Sequence, residues 1–147
     1  MTKPLPPTST LSPDGWCQRW RRRQHTWHHH DGRRFDPDQY TVTPISAGAA
    51  RQFTAEHHYA STWPAARLCY GLTDRAPHLD DYPDPHPSAV TPEGRIVGVA
   101  VLSVPQHPAV LLNPFPRLTP HYESINLGRL VLLDPVPANS EIRSHPF

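Results

Sequence analysis

Glu56-His57-His58-Tyr59 is the densest group of proton-handling side chains in this sequence. His58 could move a proton, and the Tyr59 hydroxyl could orient an attacking amine. Consecutive helical residues point about 100° apart, so at most one of the two histidines faces a given pocket. The same residues also suit an ordinary helix C-terminus, where imidazole meets the negative end of the dipole. Asp134 follows the apolar run Asn126–Leu133 and could serve as a carboxylate at a sheet edge, although Asp-Pro is equally a common turn. Pro137-Ala138-Asn139-Ser140 then supplies helix N-cap residue types. A buried strand running into a helix N-terminus gathers backbone N–H groups and the dipole at one point, which makes an anion site.

A second group is basic and aromatic. Arg19, Arg21, Arg22 and Arg23 are interleaved with Trp16, Trp20 and Trp27. Guanidinium groups contact phosphates and indoles stack on bases; arginine also stacks on tryptophan within one solvated protein face. His25, His28, His29 and His30 suggest a metal, but adjacent histidines on a flexible segment lack the fixed geometry of a site, and none is expected. Cys17 and Cys69 are far apart without a CxxC partner, which excludes a disulfide framework or a cysteine zinc site. Gly98 and Gly128 fall inside strand-like runs and mark a bulge, a close ligand or tight packing. No GxxxxGK phosphate loop is present.

These residues must be positioned by a small scaffold. The chain has 147 residues, enough for one domain with a real core. Hydrophobic residues make up 37%, so the core is concentrated in part of the chain. Proline accounts for 20 residues, against a usual share of about 5%. Long helices are thereby confined to proline-free windows such as Trp16–Phe35 and Ile45–Trp63. A formal net charge of +1 gives no argument for nucleic-acid binding. No apolar run reaches the roughly 18 residues of a membrane span, and no signal-peptide core is present, so a cytoplasmic location is expected.

Met1–Gly15, rich in Pro, Ser and Thr, reads as a disordered leader. Trp16–Trp27 is expected as a basic, aromatic helix within a segment of residues 16–35, and residues 36–147 as one domain. Strands are expected at Tyr40–Ile45, Arg67–Leu72, Arg95–Val104 and Asn126–Leu133, with Leu111-Leu112 extending the ladder. Ser46 caps a helix over Ala47–His58, where Ala50, Phe53 and His57 share a face. Most of Thr73–Gly94, laden with Pro and Asp, is expected to be poorly packed. The order points to a mixed α/β (α+β) sheet with flanking helices.

Five motifs now stand in order: His57-His58-Tyr59-Ala60-Ser61, Tyr70-Gly71-Leu72, Val97-Gly98-Val99-Ala100-Val101, Leu127-Gly128-Arg129-Leu130-Val131-Leu132-Leu133-Asp134 and Pro137-Ala138-Asn139-Ser140-Glu141. The series resembles the Mom-like group of bacteriophage DNA-modification proteins, a divergent branch of the GNAT acyltransferase superfamily. The resemblance implies a GNAT-like sheet and acyl-CoA-dependent modification of the exocyclic amine of adenine in DNA, protecting it from restriction. It implies acetyl-CoA as cofactor, with the backbone at Leu132 and Leu133 on the pantetheine and Asn139 and Ser140 on the pyrophosphate. His58, Tyr59 and Asp134 become the catalytic candidates, and Arg19, Arg21, Arg22 and Arg23 the DNA contacts. The family pattern continues after Asn-Ser-Glu into an aromatic-rich helix and closing strands. Here Ile142 to Phe147 follow, so the expectation is a C-terminally truncated copy, open to inactivity on that account, that binds acetyl-CoA weakly or not at all. The competing reading is a non-enzymatic nucleic-acid-binding protein that uses the Arg/Trp segment.

Overall fold

Every residue from Arg95 to Ser103 is buried, as an apolar run with no polar face requires when it lies inside a sheet. The structure, a computed structural model, describes residues 16–21, 23–29, 35–60, 62–77, 82 and 85–137. In chain order its elements are β1 (Trp16–Arg21), β2 (Gln24–His29), β3 (Tyr40–Pro44), α1 (Ala47–His57), β4 (Ala65–Asp74), β5 (Val90–Thr91), β6 (Gly94–Val104), α2 (Ala109–Leu112) and β7 (Asn126–Leu132). The Met1–Gly15 leader, Arg22, Asn139, Ser140 and the segment after Glu141 lie outside the described residues. Among the described residues, no helix is long and apolar enough to cross a membrane.

The fold is mixed α/β, built on an antiparallel sheet. Its order is β3-β4-β6, and β5 and β7 share the far side of β6. β5 pairs with the start of β6, and β7 with its second half, from Gly98↔Leu132 to Ser103↔Asn126. A register shift between Val101 and Leu102 makes Gly128 the extra residue of a bulge on β7. A methyl group on Gly128 would collide with the Ser103 hydroxyl, and one on Gly98 with the Leu132 side chain. Both glycines therefore serve close strand packing.

α1 starts where Ser46 accepts a hydrogen bond from the Ala49 amide (3.1 Å). It buries Ala50, Phe53, Thr54 and His57, a stripe at helical spacing, across β4, β6 and β7. Val97, Val99, Val101 and Val131 lie in the core. Each such side chain contributes roughly 1.5–3 kcal/mol relative to exposure.

The structure corrects three expectations. Trp16–Trp27 is not helical: β1 and β2 form an antiparallel hairpin that is a separate two-stranded sheet. Strand-favouring tryptophans alternate with polar residues there, and Arg23 supplies the positive φ of 68° that the tight turn needs. Leu111-Leu112 belongs to the short helix α2, not to the ladder. Thr73–Gly94 is packed at several points: Thr73 and Asp74 complete β4, Tyr82 and Ala89 are buried, and Val90–Thr91 pairs as β5. The four expected strands and α1 stand within two residues of their expected limits.

Candidate functional site

The C-terminus of α1, the end of β7 and the hairpin meet at one end of the sheet, and they bring together polar groups that small proteins rarely bury. Arg19, His57, His58, Asp74, Arg95 and Asp134 are all buried. Burying charge costs several kcal/mol per ion unless each is well paired, so this concentration marks a built feature of the fold.

Arg19 is 1% exposed. Its Nε and Nη2 donate to the Val136 carbonyl (3.2 and 3.0 Å), and Nη2 also donates to the Pro137 carbonyl (2.8 Å). From β2, the Thr26 hydroxyl donates to Asp134 Oδ1 (2.9 Å). At the hairpin turn, the Arg23 amide donates to the His57 carbonyl (3.1 Å), and its guanidinium reaches the Tyr59 carbonyl at a long 3.5 Å. The hairpin thus grips the turn after β7 with one hand and the end of α1 with the other.

His57 sits in the middle. Burial pushes its imidazole below the ordinary histidine range; Glu56 and Asp134 oppose that shift, and Arg95 adds to it. Glu56 Oε1 lies 3.9 Å from Nε2, while Nδ1 is buried without a hydrogen-bond partner among the described residues. His58 points elsewhere. Its Nδ1 accepts from the Ala60 amide (3.0 Å), and its ring packs at a tilt of 31° against Tyr59 with centroids 4.4 Å apart. Burial and nearby Arg129 lower its affinity for a proton. Arg129 is itself held by the Thr62 carbonyl and hydroxyl (2.8 and 3.1 Å) and by the Gly128 carbonyl (2.7 Å).

The cluster continues across the sheet. Asp74 accepts from Gln39 (3.0 Å), from the Ala76 amide (3.0 Å) and from the Tyr82 hydroxyl (3.2 Å). The Arg95 guanidinium lies 4.9 Å from the Tyr82 ring centroid. Burial, with Tyr40 and Asp74 nearby, raises the Tyr82 phenol above its ordinary range.

Measured against the sequence candidates, Asp134 is felt by His57 rather than His58. Tyr59 is exposed beside His58, at the hairpin turn. Arg19 is buried and engaged with main-chain carbonyls, which removes it from any DNA-facing surface. Arg21 ends β1, and Arg23 is exposed at the turn. Leu133 directs its amide to the Val97 carbonyl (2.9 Å), so that group is already used within the sheet. By antiparallel alternation, Leu130 and Leu132 turn their main-chain groups to the outer edge of β7, with which no described strand pairs. Asn139, Ser140 and Arg22 fall outside the described residues.

Sequence reasoning passed over Thr26, Arg95, Asp74, Tyr82 and Arg129. His57, not among the catalytic candidates, carried a readable signal in its place on the buried stripe with Ala50 and Phe53. Among the described residues, no group of three or more His, Cys, Asp or Glu side chains is placed to hold a metal ion. Comparison with known protein families, with curated proteins and with solved structures finds no match to this chain.

Proposed function

We propose that this chain is a Mom-like, acyl-CoA-dependent transferase of the GNAT type acting on the exocyclic amine of adenine in DNA. The support is a single arrangement. Among the described residues, β7 pairs on one edge only, turns the main-chain groups of Leu130 and Leu132 outward, and leads into a turn that Arg19 clamps. Such an edge takes an extended, amide-bearing chain by main-chain hydrogen bonds, and the resemblance assigns the pantetheine arm to this strand. Acetyl-CoA, when bound, supplies the thioester carbon that the amine attacks.

Attack on a thioester calls for a donor at the carbonyl oxygen and for proton traffic at the nucleophile. His58 is held toward its neutral form, and its Nδ1 lone pair is taken by the Ala60 amide. Its proton therefore sits on Nε2, where it donates rather than accepts. That suits it to polarise the carbonyl as a neutral hydrogen-bond donor. Tyr59, exposed and packed at a tilt against the same ring, orients the base. Asp134 sits under the hairpin, bonded to Thr26, so its task is to hold the turn.

Nucleoside mass spectrometry of DNA from cells expressing the chain tests this reading. A mass-shifted deoxyadenosine is expected, and its loss in His58→Gln. Unmodified DNA alongside no heat on titration with acetyl-CoA sinks the proposal. One observation favours the non-enzymatic alternative: Arg23 and Tyr59 offer a cation and an aromatic ring together at the hairpin turn, a pairing that suits nucleic acid. DNA binding without modification would select it.

A further inference from the structure

We propose that the β1–β2 hairpin is an acid-releasable clamp on the turn that follows β7, with His57 as the group that releases it. The inference is independent of what the chain transfers or binds.

An isolated two-stranded hairpin is marginal in water at best. Among the described residues, this one forms no ladder with the main sheet. What the structure shows fastening it are the Arg19 bonds to the Val136 and Pro137 carbonyls, the Thr26 bond to Asp134, and the Arg23 amide bond to the His57 carbonyl. All three fastenings converge on one buried cluster in which Arg19, Arg95 and Asp134 already lie.

His57 joins both halves of that cluster. Its main chain holds the hairpin turn, while its ring faces the charged interior. The ionisable groups acting on it are Glu56 from α1, Arg95 from β6 and Asp134 from the turn after β7; the Phe53 ring packs against it at 4.7 Å. Its buried Nδ1 has no hydrogen-bond partner among the described residues, so a proton added there would be a buried donor with nothing to meet. The same proton would add a positive charge near Arg95, and the attraction of Glu56 and Asp134 only partly compensates the burial. Lifting the hairpin admits water to the ring and removes the penalty.

The sign follows from linkage. In the closed state the imidazole holds its proton less tightly than in water. With the clamp open it returns to an ordinary value of about 6.5. Opening therefore takes up a proton, and acid favours it from about pH 6.5 down to the closed-state value, by up to about tenfold per pH unit.

Hydrogen exchange on the full chain decides the matter, with amide rates corrected for intrinsic pH dependence and β6 amides as the internal reference. Between about pH 7.5 and about pH 5.5, hairpin amides should lose protection relative to β6 in the wild type, by up to about tenfold. In His57→Gln, which stays neutral, that relative loss should vanish. Three results each overturn the proposal: hairpin protection independent of pH, equal acid loss in His57→Gln, or hairpin and β6 losing protection together. Should His57→Gln not fold, the proton resonances of His57 in the wild type serve in its place. Hairpin opening must then track protonation of that ring, and opening at a pH where the ring is still neutral refutes the clamp.

Discussion

Replacing Arg19 with Ala separates a structural arginine from a DNA-binding one. The wild-type guanidinium makes three hydrogen bonds to two main-chain carbonyls, and it is almost wholly out of water. Each buried acceptor left without a donor costs about 1–3 kcal/mol, so the two carbonyls together cost about 2–6 kcal/mol. Removing a buried cation returns part of that, because its own desolvation is relieved. The balance is a loss of about 1–4 kcal/mol, a large share of a usual stability of about 5–15 kcal/mol. With a urea slope of about 2 kcal/mol per M, the midpoint falls by about 0.5–2 M. Arg19→Lys keeps the charge without the planar fork, so it should recover less than half of the loss. Urea titration by far-UV circular dichroism gives the midpoints, and hydrogen exchange shows whether the hairpin detaches first. A midpoint within about 0.3 M of wild type in Arg19→Ala, at unchanged slope, would refute the reasoning. Weakened duplex-DNA affinity with untouched stability would refute it more directly, by returning Arg19 to the surface.

Three further outcomes follow from the same geometry. Tyr82→Phe deletes the hydroxyl that donates to buried Asp74; the variant should lose about 1–2 kcal/mol in urea unfolding, and alkaline ultraviolet titration should lose a late-ionising tyrosine. Gly128→Ala drives a methyl group toward the Ser103 hydroxyl and to 3.3 Å from Pro64; overpacking of about 1–3 kcal/mol should lower the melting temperature by several degrees, as calorimetry would show. Replacing Arg21, Arg22 and Arg23 together with Ala should weaken duplex-DNA binding and flatten its salt dependence, because each lost phosphate contact releases fewer counterions. An unchanged salt slope would assign all three to a solvated face.

The sequence by itself determined the elements whose signal is local. The burial of Arg95–Ser103 is written in an uninterrupted apolar run, and α1 in the Ser46 cap and the stripe Ala50, Phe53, His57. Proline placed the breaks between them. The tertiary structure decided everything that depends on a distant partner. Trp16–His29 carries good strand formers and a proline-free stretch at once, so its hairpin rests on contacts with a turn more than one hundred residues away along the chain. Nothing local tells a buried Arg19 from an exposed Arg23, because the difference is whether two carbonyls wait within reach. Tyr82 looked like part of a loose excursion until Asp74 and Arg95 met it from two strands. His57 and His58 are the sharpest case. Neighbours in sequence, they diverge because a helix turns one side chain into the charged interior beside Asp134 and the other toward Arg129 and the Ala60 amide.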